Sequence, residues 1–240
     1  MPLPPVLYAD DELVAFDQPG VGPGEIAGLG AAVRQEFGPD AAIASRPDPE
    51  VSGVVLYART RGARDYLSGQ FQARTVQPLQ LALVTGVPAL DEFFAEFVLK
   101  DDEARPGRLC VVKKHGQPTR TRIVVCEKFP APAGRVAFAY VEARPDSGRP
   151  HQVRLHLATT GTPVLNDAAY GNDTRLLLSD LKRGYKGRAD ERPLIGRLAL
   201  HTAALTFRHP RTRAPQTIEA PLPNDFVVAL KYLRKFAARR

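Results

Sequence analysis

An aspartate between two prolines is the first feature of this sequence that could do chemistry. Asp48 lies in the stretch "SRPDPEVSGVVLYART", residues 45–60. Pro47 has a fixed φ, and Pro49 disfavours the α region for the residue before it, so this peptide is stiff. In an extended chain Arg46 shares a face with Asp48 and would keep the carboxylate ionised. An ionised carboxylate can act as a nucleophile or stabilise a positive charge. The alternative is a plain turn, of which Asp-Pro is typical.

A second stretch, residues 148–171, concentrates polar side chains in "GRPHQVRLHLATTGTPVLNDAAYG". Five hydrogen-bonding side chains fall within its eight residues 149–156: Arg149, His151, Gln152, Arg154 and His156. The spacing of Val153, His156 and Leu157 predicts a helix that ends at a glycine. Such a density of polar groups favours a functional surface over the alternative, a solvated amphipathic helix.

The elements that must position these residues can be identified from apolar periodicity. In the first half, "GEIAGLGAAVRQEFG" and "ARDYLSGQFQAR" have helical spacing, whereas "VVLYA" and "LQLALVTG" are typical of buried strands. In the second half, "TRIVVCEKF" and "RVAFAYVEAR" flank a proline-rich turn and predict a hairpin. "RLALHTAALTFRHP" predicts a further strand. The last residues predict a helix with Asn224 as its N-cap and an apolar stripe of Phe226, Leu230 and Leu233.

This order of elements predicts the fold class. Hairpins are mixed with helices instead of repeating a β-α-β pattern, which favours an α+β fold with a mixed, largely antiparallel central sheet and flanking helices. At 240 residues, 44% of them apolar, the chain is long enough for a substantial core.

Charge and cysteine content narrow the class of function. Lys and Arg number 33 against 26 Asp and Glu, a net charge of +7 with a pI near 9.6. This excess suits a polyanionic partner such as nucleic acid, although a compositional bias unrelated to RNA is the alternative. Cys110 and Cys126 form no CxxC pair, so we expect neither a zinc site nor a disulfide framework. With no apolar run of about 18 residues and no secretory signal, we expect a soluble cytoplasmic protein without membrane contact.

The sequence resembles a known family, the RluA-type pseudouridine synthases. "GRPHQVRLHL" and "GTPVLNDAAYG" are similar to that family's Gly-Arg-Thr-His-Gln-Ile/Leu-Arg-Val-His-Leu block and Gly-Asp-x-x-Tyr-Gly ending, and "SRPDPEVSG" is similar to its catalytic His-Arg-Leu-Asp-x-x-Thr-Ser-Gly block. "LYADDELVAFDQPGVG" and the segment from residue 197 to Phe226 resemble its opening and its C-terminal strands. The resemblance covers residues 6 to 228.

The resemblance implies a function and a site. It implies isomerisation of uridine to pseudouridine in structured rRNA or tRNA, by a pseudouridine synthase fold with a central active-site cleft. It implies one catalytic domain over residues 1–240, built from two sheet-sharing halves of about 1–90 and 91–240, without an amino-terminal S4-like module. We expect a monomer that needs no metal or organic cofactor.

Family roles carry over to particular residues. Asp48 falls on the catalytic aspartate, Arg46 on the arginine of the same motif, and Arg154 on the basic residue that pairs with the aspartate. Five further residues are implied to bind substrate: Val153 against the target base, together with Gln80, Arg149, His151 and Gln152.

Several positions depart from the family pattern. Gln80 stands where the family has an active-site tyrosine, Gln18 replaces a lysine, and Ser45 replaces a histidine. Glutamine has no aromatic face and cannot act as a general base. Another side chain, such as Tyr57 or Tyr66, could fill the tyrosine's role. The alternatives are an RNA-binding relative with impaired catalysis or a fold adapted to a different nucleoside reaction.

Overall fold

The computed structural model describes residues 2–20, 23–44, 48–131, 134–172, 174–182, 185 and 190–237. Eleven strands lie within these ranges: β1 (Val6–Ala9), β2 (Leu13–Gln18), β3 (Ala42–Ile43), β4 (Ser52–Ala58), β5 (Gln77–Thr85), β6 (Glu92–Asp101), β7 (Leu109–Val112), β8 (Gln117–Phe129), β9 (Phe138–Pro145), β10 (Leu200–Arg208) and β11 (Pro215–Glu219). Five helices accompany them: α1 (Pro23–Phe37), α2 (Arg61–Gln72), α3 (Gln152–Thr159), α4 (Leu178–Leu181) and α5 (Asn224–Phe236).

Two compact units account for the chain, and both draw on separate segments of it. The first unit contains Met1–Gln80, Arg144–Gln152 and His201–Pro221. The second unit contains Leu81–Ala143, Val153–Leu200 and Leu222–Arg240. The predicted single domain with two halves stays a prediction, as does the central cleft.

The strands of the first unit form a mixed arrangement in the order β1-β2-β4-β10, with β3 also paired to β4 and β11 to β10. The β4–β10 pair is parallel, with Ser52 opposite His201 and Gly53 opposite Thr202. The pairs β1–β2, β2–β4, β3–β4 and β10–β11 are antiparallel. Strand β4, which follows Asp48, is therefore paired on both edges within this unit. This pairing fixes the backbone at the end of the Asp48 turn.

Strand β4 is buried along its whole length because both of its faces are covered. On one face Val54 and Leu56 pack in a cluster with Leu67 of α2, and on the other Val55 and Tyr57 pack with residues of α1. A strand covered on both sides has no solvent face, and this accounts for the continuous apolar run instead of an alternating pattern. The prediction of a buried strand at "VVLYA" is confirmed.

In the second unit the strand order is β5-β9-β8-β6-β7. β6 pairs antiparallel with both β7 and β8. β8 and β9 are hydrogen-bonded neighbours, which confirms the hairpin predicted from the two apolar runs. Leu155 of α3 packs with Leu99 and Leu109 and so anchors this helix to β6 and β7.

Most sequence predictions of elements agree with the structure, and the α+β class with mixed, largely antiparallel strands and flanking helices is confirmed. The N-cap prediction for α5 was wrong. Pro223 is the cap residue and makes no side-chain cap hydrogen bond, while Asn224 is already helical. Asp225, in the first turn, accepts a hydrogen bond from the Phe226 amide and two from Arg197. The apolar stripe of α5 is buried as predicted.

Within the described ranges, no helix is long and apolar enough to cross a membrane.

Helix α2 gives a first testable prediction, because its N-cap is a side chain. Thr60 Oγ1 accepts a hydrogen bond from the Ala63 amide at 3.1 Å. We expect Thr60→Ala to lower the free energy of unfolding by about 1 kcal/mol, the usual effect of losing an N-cap. Urea denaturation measures it. Thr60→Ser keeps the hydroxyl and should stay close to wild type; equal losses in both variants would contradict the cap's role.

Candidate active site

Asp48 sits in a turn that leads into β4 and holds its carboxylate in place. The Glu50 amide donates to Asp48 Oδ1 at 3.0 Å, and the Val51 amide donates to the Asp48 carbonyl at 3.1 Å. The side chain is only 7% exposed. The turn predicted from Asp-Pro is therefore present and holds a largely buried carboxylate, while the catalytic role of Asp48 stays a prediction.

His151 faces this carboxylate from the segment that precedes α3. Its Nε2 lies 3.2 Å from Asp48 Oδ2, and its side chain is 16% exposed. Its φ is 61°, in the left-handed region that histidine adopts more readily than most non-glycine residues. The turn is closed by the Gln152 amide, which donates to the Arg149 carbonyl at 3.2 Å. Within the first unit, the structure thus brings together two residues predicted for the site.

Gln152 is buried beside them and is held by its own hydrogen bonds. It is 2% exposed; its Oε1 accepts from Ser147 Oγ, and its Nε2 donates to Asp146 Oδ1 at 3.2 Å. Asp146 also lies 3.8 Å from the Arg74 guanidinium. These contacts fix the amide within the protein. Gln152 is therefore placed to support the turn that carries His151, while its predicted contact with substrate stays a prediction.

Gln80 and Gly53 both lie against Thr202 of β10. Gln80 Nε2 donates to Thr202 Oγ1 at 3.2 Å, and the Gln80 side chain is half-buried. Gly53 has a φ of 106°, and a Cβ there would lie 2.1 Å from the Thr202 carbonyl oxygen, so no larger residue fits. The neighbouring pair is also polar, with Ser52 Oγ 3.0 Å from His201 Nδ1. Glycine at position 53 is thus required by close strand packing, and Ser52 contributes a polar contact with His201.

Neither Tyr57 nor Tyr66 is placed to take over the role of the family's active-site tyrosine. Tyr57 is 2% exposed and packs edge-on against Phe16 in the core, where burial raises the pKa of its hydroxyl. Tyr66 lies in α2 with the guanidinium of Arg213 3.8 Å from its ring centroid. One is held in the core and the other is covered by a cation, so the structure does not support either as a replacement.

Arg154, the third of the predicted catalytic residues, is buried against a carboxylate in the second unit. Its Nε and Nη2 donate to Asp167 Oδ2 and Oδ1 at 2.9 and 2.7 Å, and the two side chains are 1% and 0% exposed. The amides of Ala169 and Tyr170 also donate to Asp167 Oδ1. Burial alone would raise the pKa of Asp167, but the hydrogen bonds and charge of Arg154 outweigh it and hold that pKa below its usual range.

The remaining predicted residues are placed as follows. Val153 is a buried residue of α3, and Arg149 is half-buried. Arg46 lies outside the described residues. The pairing of Arg154 with Asp48 and the contact of Val153 with a target base stay predictions.

Sequence reasoning missed three residues that complete these arrangements. Asp167 lies in the segment "LNDAAYG", and its signal is that a buried arginine requires a carboxylate. Thr202 and His201 had no recognisable signal, because they approach Gly53 and Ser52 only through the β4–β10 pairing.

Within the described ranges, no group of three or more His, Cys, Asp or Glu could hold a metal ion.

Comparison with known families and curated proteins gives consistent results. A family model described as RNA pseudouridylate synthase matches residues 31–159. Ribosomal large subunit pseudouridine synthase D of Neisseria meningitidis serogroup A is 32% identical over 196 residues, covering 82% of this chain and 49% of that protein. Ribosomal large subunit pseudouridine synthase C of Vibrio vulnificus is 31% identical over 237 residues, covering 95% of this chain and 69% of that protein. The chain thus spans about half the length of the Neisseria relative.

Solved structures agree on the fold. Human RNA Pseudouridylate Synthase Domain Containing 1 superposes with a TM-score of 0.69 at 21% identity, covering 91% of this chain and 83% of that one. Human RNA Pseudouridylate Synthase Domain Containing 4 gives a TM-score of 0.68 at 21% identity, covering 95% and 92%. The fold predicted from the family resemblance is confirmed.

Proposed function

This chain belongs to the RNA pseudouridylate synthase family, and from that premise we propose that it isomerises uridine to pseudouridine in structured RNA with Asp48 as the catalytic carboxylate. The observation that carries the proposal is the fixed position of the Asp48 carboxylate. It is 7% exposed, accepts a hydrogen bond from the Glu50 amide and faces His151. The names of the curated relatives favour ribosomal RNA as the substrate. Transfer RNA is the second candidate.

The reaction explains why such a carboxylate is needed. The bond between N1 of uracil and C1′ of the ribose must break, and C5 must then bond to the same carbon. Asp48 acts at C1′, either as a nucleophile or by stabilising a cation-like state of the sugar. The target uridine is flipped out of the folded RNA to reach it. The net charge of +7 attracts the phosphate backbone.

The direct test uses unmodified RNA. Purified protein is incubated with transcripts of large-subunit rRNA, small-subunit rRNA and tRNA made in vitro, and pseudouridine is mapped by chemical derivatisation and mass spectrometry. We expect stoichiometric conversion at one or a few uridines of rRNA. Absence of pseudouridine in all three RNAs would contradict the proposed function.

A second candidate function is RNA binding with impaired catalysis, and the specific observation behind it is Gln80. Its amide is bound to Thr202 and presents no aromatic ring for a base to stack on. This candidate predicts binding to RNA that weakens with salt, survives Asp48→Ala and is accompanied by no isomerisation.

Gln80→Tyr separates the two functions. If the wild type is a competent enzyme, introducing the family's tyrosine should leave kcat within about tenfold of wild type, roughly 1.4 kcal/mol in activation free energy. If catalysis is impaired by the missing tyrosine, kcat should rise by about 10²-fold or more. Gln80→Phe, which adds the ring without the hydroxyl, is the matched control. Single-turnover conversion of the mapped RNA measures all three proteins.

A further inference from the structure

Among the described residues of the first unit, His151 places its imidazole against the carboxylate of Asp48. Nε2 lies 3.2 Å from Asp48 Oδ2, and the ring is 16% exposed, so it is partly shielded yet still reached from outside. The backbone holds it there in a left-handed conformation at φ 61°. A non-glycine residue in that region is uncommon, and such positions cluster where a side chain must be aimed.

Proton balance sets a requirement beyond the action of Asp48 at C1′. During isomerisation the N1–C1′ bond breaks and the C5–C1′ bond forms. C5 must then lose its hydrogen as a proton, and N1 must gain a proton. Nothing is oxidised or reduced, so the only further need is a group that accepts the C5 proton. Because the new bond joins C5 to C1′, that group must lie next to the carboxylate that acts at C1′.

Five other polar side chains discussed above do not meet the requirement, and the second imidazole of this region, that of His201, is fully buried with Nδ1 3.0 Å from Ser52 Oγ. Gln152 and Gln80 carry amides, and Thr202 carries a hydroxyl, none of which accepts a proton from carbon near neutral pH. Tyr57 is packed in the core, and Tyr66 is covered by a guanidinium. Imidazole is the side chain most often used for such transfers, and its carboxylate contact follows the arrangement that orients a catalytic histidine.

We propose that His151 is the general base that removes the C5 proton, an inference that rests on the proposed function. With the neutral ring donating its Nε2 proton to Asp48 Oδ2, Nδ1 takes the proton from C5. The carboxylate stabilises the imidazolium that results, and the proton then passes to N1 or to solvent. Gln80, which stands in place of the family's tyrosine, cannot transfer a proton. In this chain the imidazole of His151 thus performs that step.

The test follows the hydrogen at C5. His151→Asn is suited to it, because asparagine also tolerates the left-handed backbone and can still donate a hydrogen bond to Asp48. Transcripts carrying uridine or C5-deuterated uridine at the mapped site are compared in single turnover. We expect kcat to fall by about 10² to 10⁴-fold, the usual contribution of a general base, with KM little changed. We also expect a larger deuterium isotope effect than in wild type, because C5–H cleavage becomes the slow step.

His115→Asn is the matched control, since His115 also has a φ of 61° but is exposed in the turn between β7 and β8. It should retain wild-type kinetics. An active wild type together with a His151→Asn variant of wild-type rate would overturn this inference alone. So would a slow variant without the increased isotope effect, since that pattern indicates a misplaced Asp48. A wild type without any activity overturns the proposed function, and this inference with it.

Discussion

We expect Asp48→Asn to abolish or nearly abolish pseudouridine formation while leaving the fold intact. Asparagine keeps an oxygen that can accept from the Glu50 amide, so the turn before β4 is preserved. It has no negative charge with which to attack or stabilise C1′. We expect the rate of conversion to fall by on the order of 10³-fold or more, the scale found when a group acting on the reacting centre is removed. Thermal melting should show wild-type stability or close to it.

The matched control is another aspartate of the first unit. Asp65 is 76% exposed, and its Oδ1 lies 3.6 Å from Nε of Arg64. Asp65→Asn makes the same chemical change at a position without a role in the site and should convert RNA at the wild-type rate. If Asp48→Asn retains wild-type activity under the same conditions, Asp48 is not the catalytic carboxylate.

Asp167→Ala is expected to have the largest effect on stability. It removes the carboxylate that binds Arg154 through two hydrogen bonds in a buried site. Breaking a buried ion pair on one side typically costs about 3–5 kcal/mol, because the remaining charge loses its compensation. The same carboxylate also accepts from the Ala169 and Tyr170 amides, which closes the turn after Val164. Chemical denaturation measures the loss.

Glu92→Ala is the matched control for the ion pair, because Glu92 contacts Arg122 at 2.7 Å at an exposed position on the same unit. Exposed pairs contribute little, so its unfolding transition should stay near that of the wild type. If Asp167→Ala were as stable as Glu92→Ala, the buried pair would not be the stabilising feature inferred from its geometry.

The same ion pair predicts how stability responds to acid. The pKa of Asp167 is lowered in the folded protein because the contacts with Arg154 outweigh burial. A lowered folded-state pKa stabilises the fold above the unfolded value, about 3.9, and this contribution is lost as pH falls through the folded value. Wild-type protein should therefore lose stability below about pH 4 more steeply than Asp167→Ala does.

The fold could be predicted largely from local patterns. Strand β4 and helix α5 were recognised because apolar residues recur at the spacing that burial requires. The cap of α5 was misplaced by one residue, since Asn224 and Pro223 both precede the apolar stripe and only tertiary contacts decide between them. Local patterns did not predict strands β3, β6, β7 and β11; β6 and β11 mix exposed and buried residues.

Candidate site residues that lie in a sequence motif could be predicted. Contacts that depend on tertiary structure could not. Asp48 and His151 were both identified from sequence, but their contact across about 100 residues of chain could only come from the structure. Asp167 could have been found by asking what compensates a buried Arg154. Thr202 could not, because its relation to Gln80 depends on the pairing and packing of strands.

The central claim is that Asp48 carries out uridine isomerisation, and release of the C5 hydrogen tests it most directly. Transcripts of rRNA labelled with tritium at C5 of uridine are incubated with wild type, Asp48→Asn and Asp65→Asn. We predict that wild type and Asp65→Asn release tritium to water in proportion to the pseudouridine formed, whereas Asp48→Asn releases none above background. Equal release by wild type and Asp48→Asn, or no release by wild type, would contradict the account.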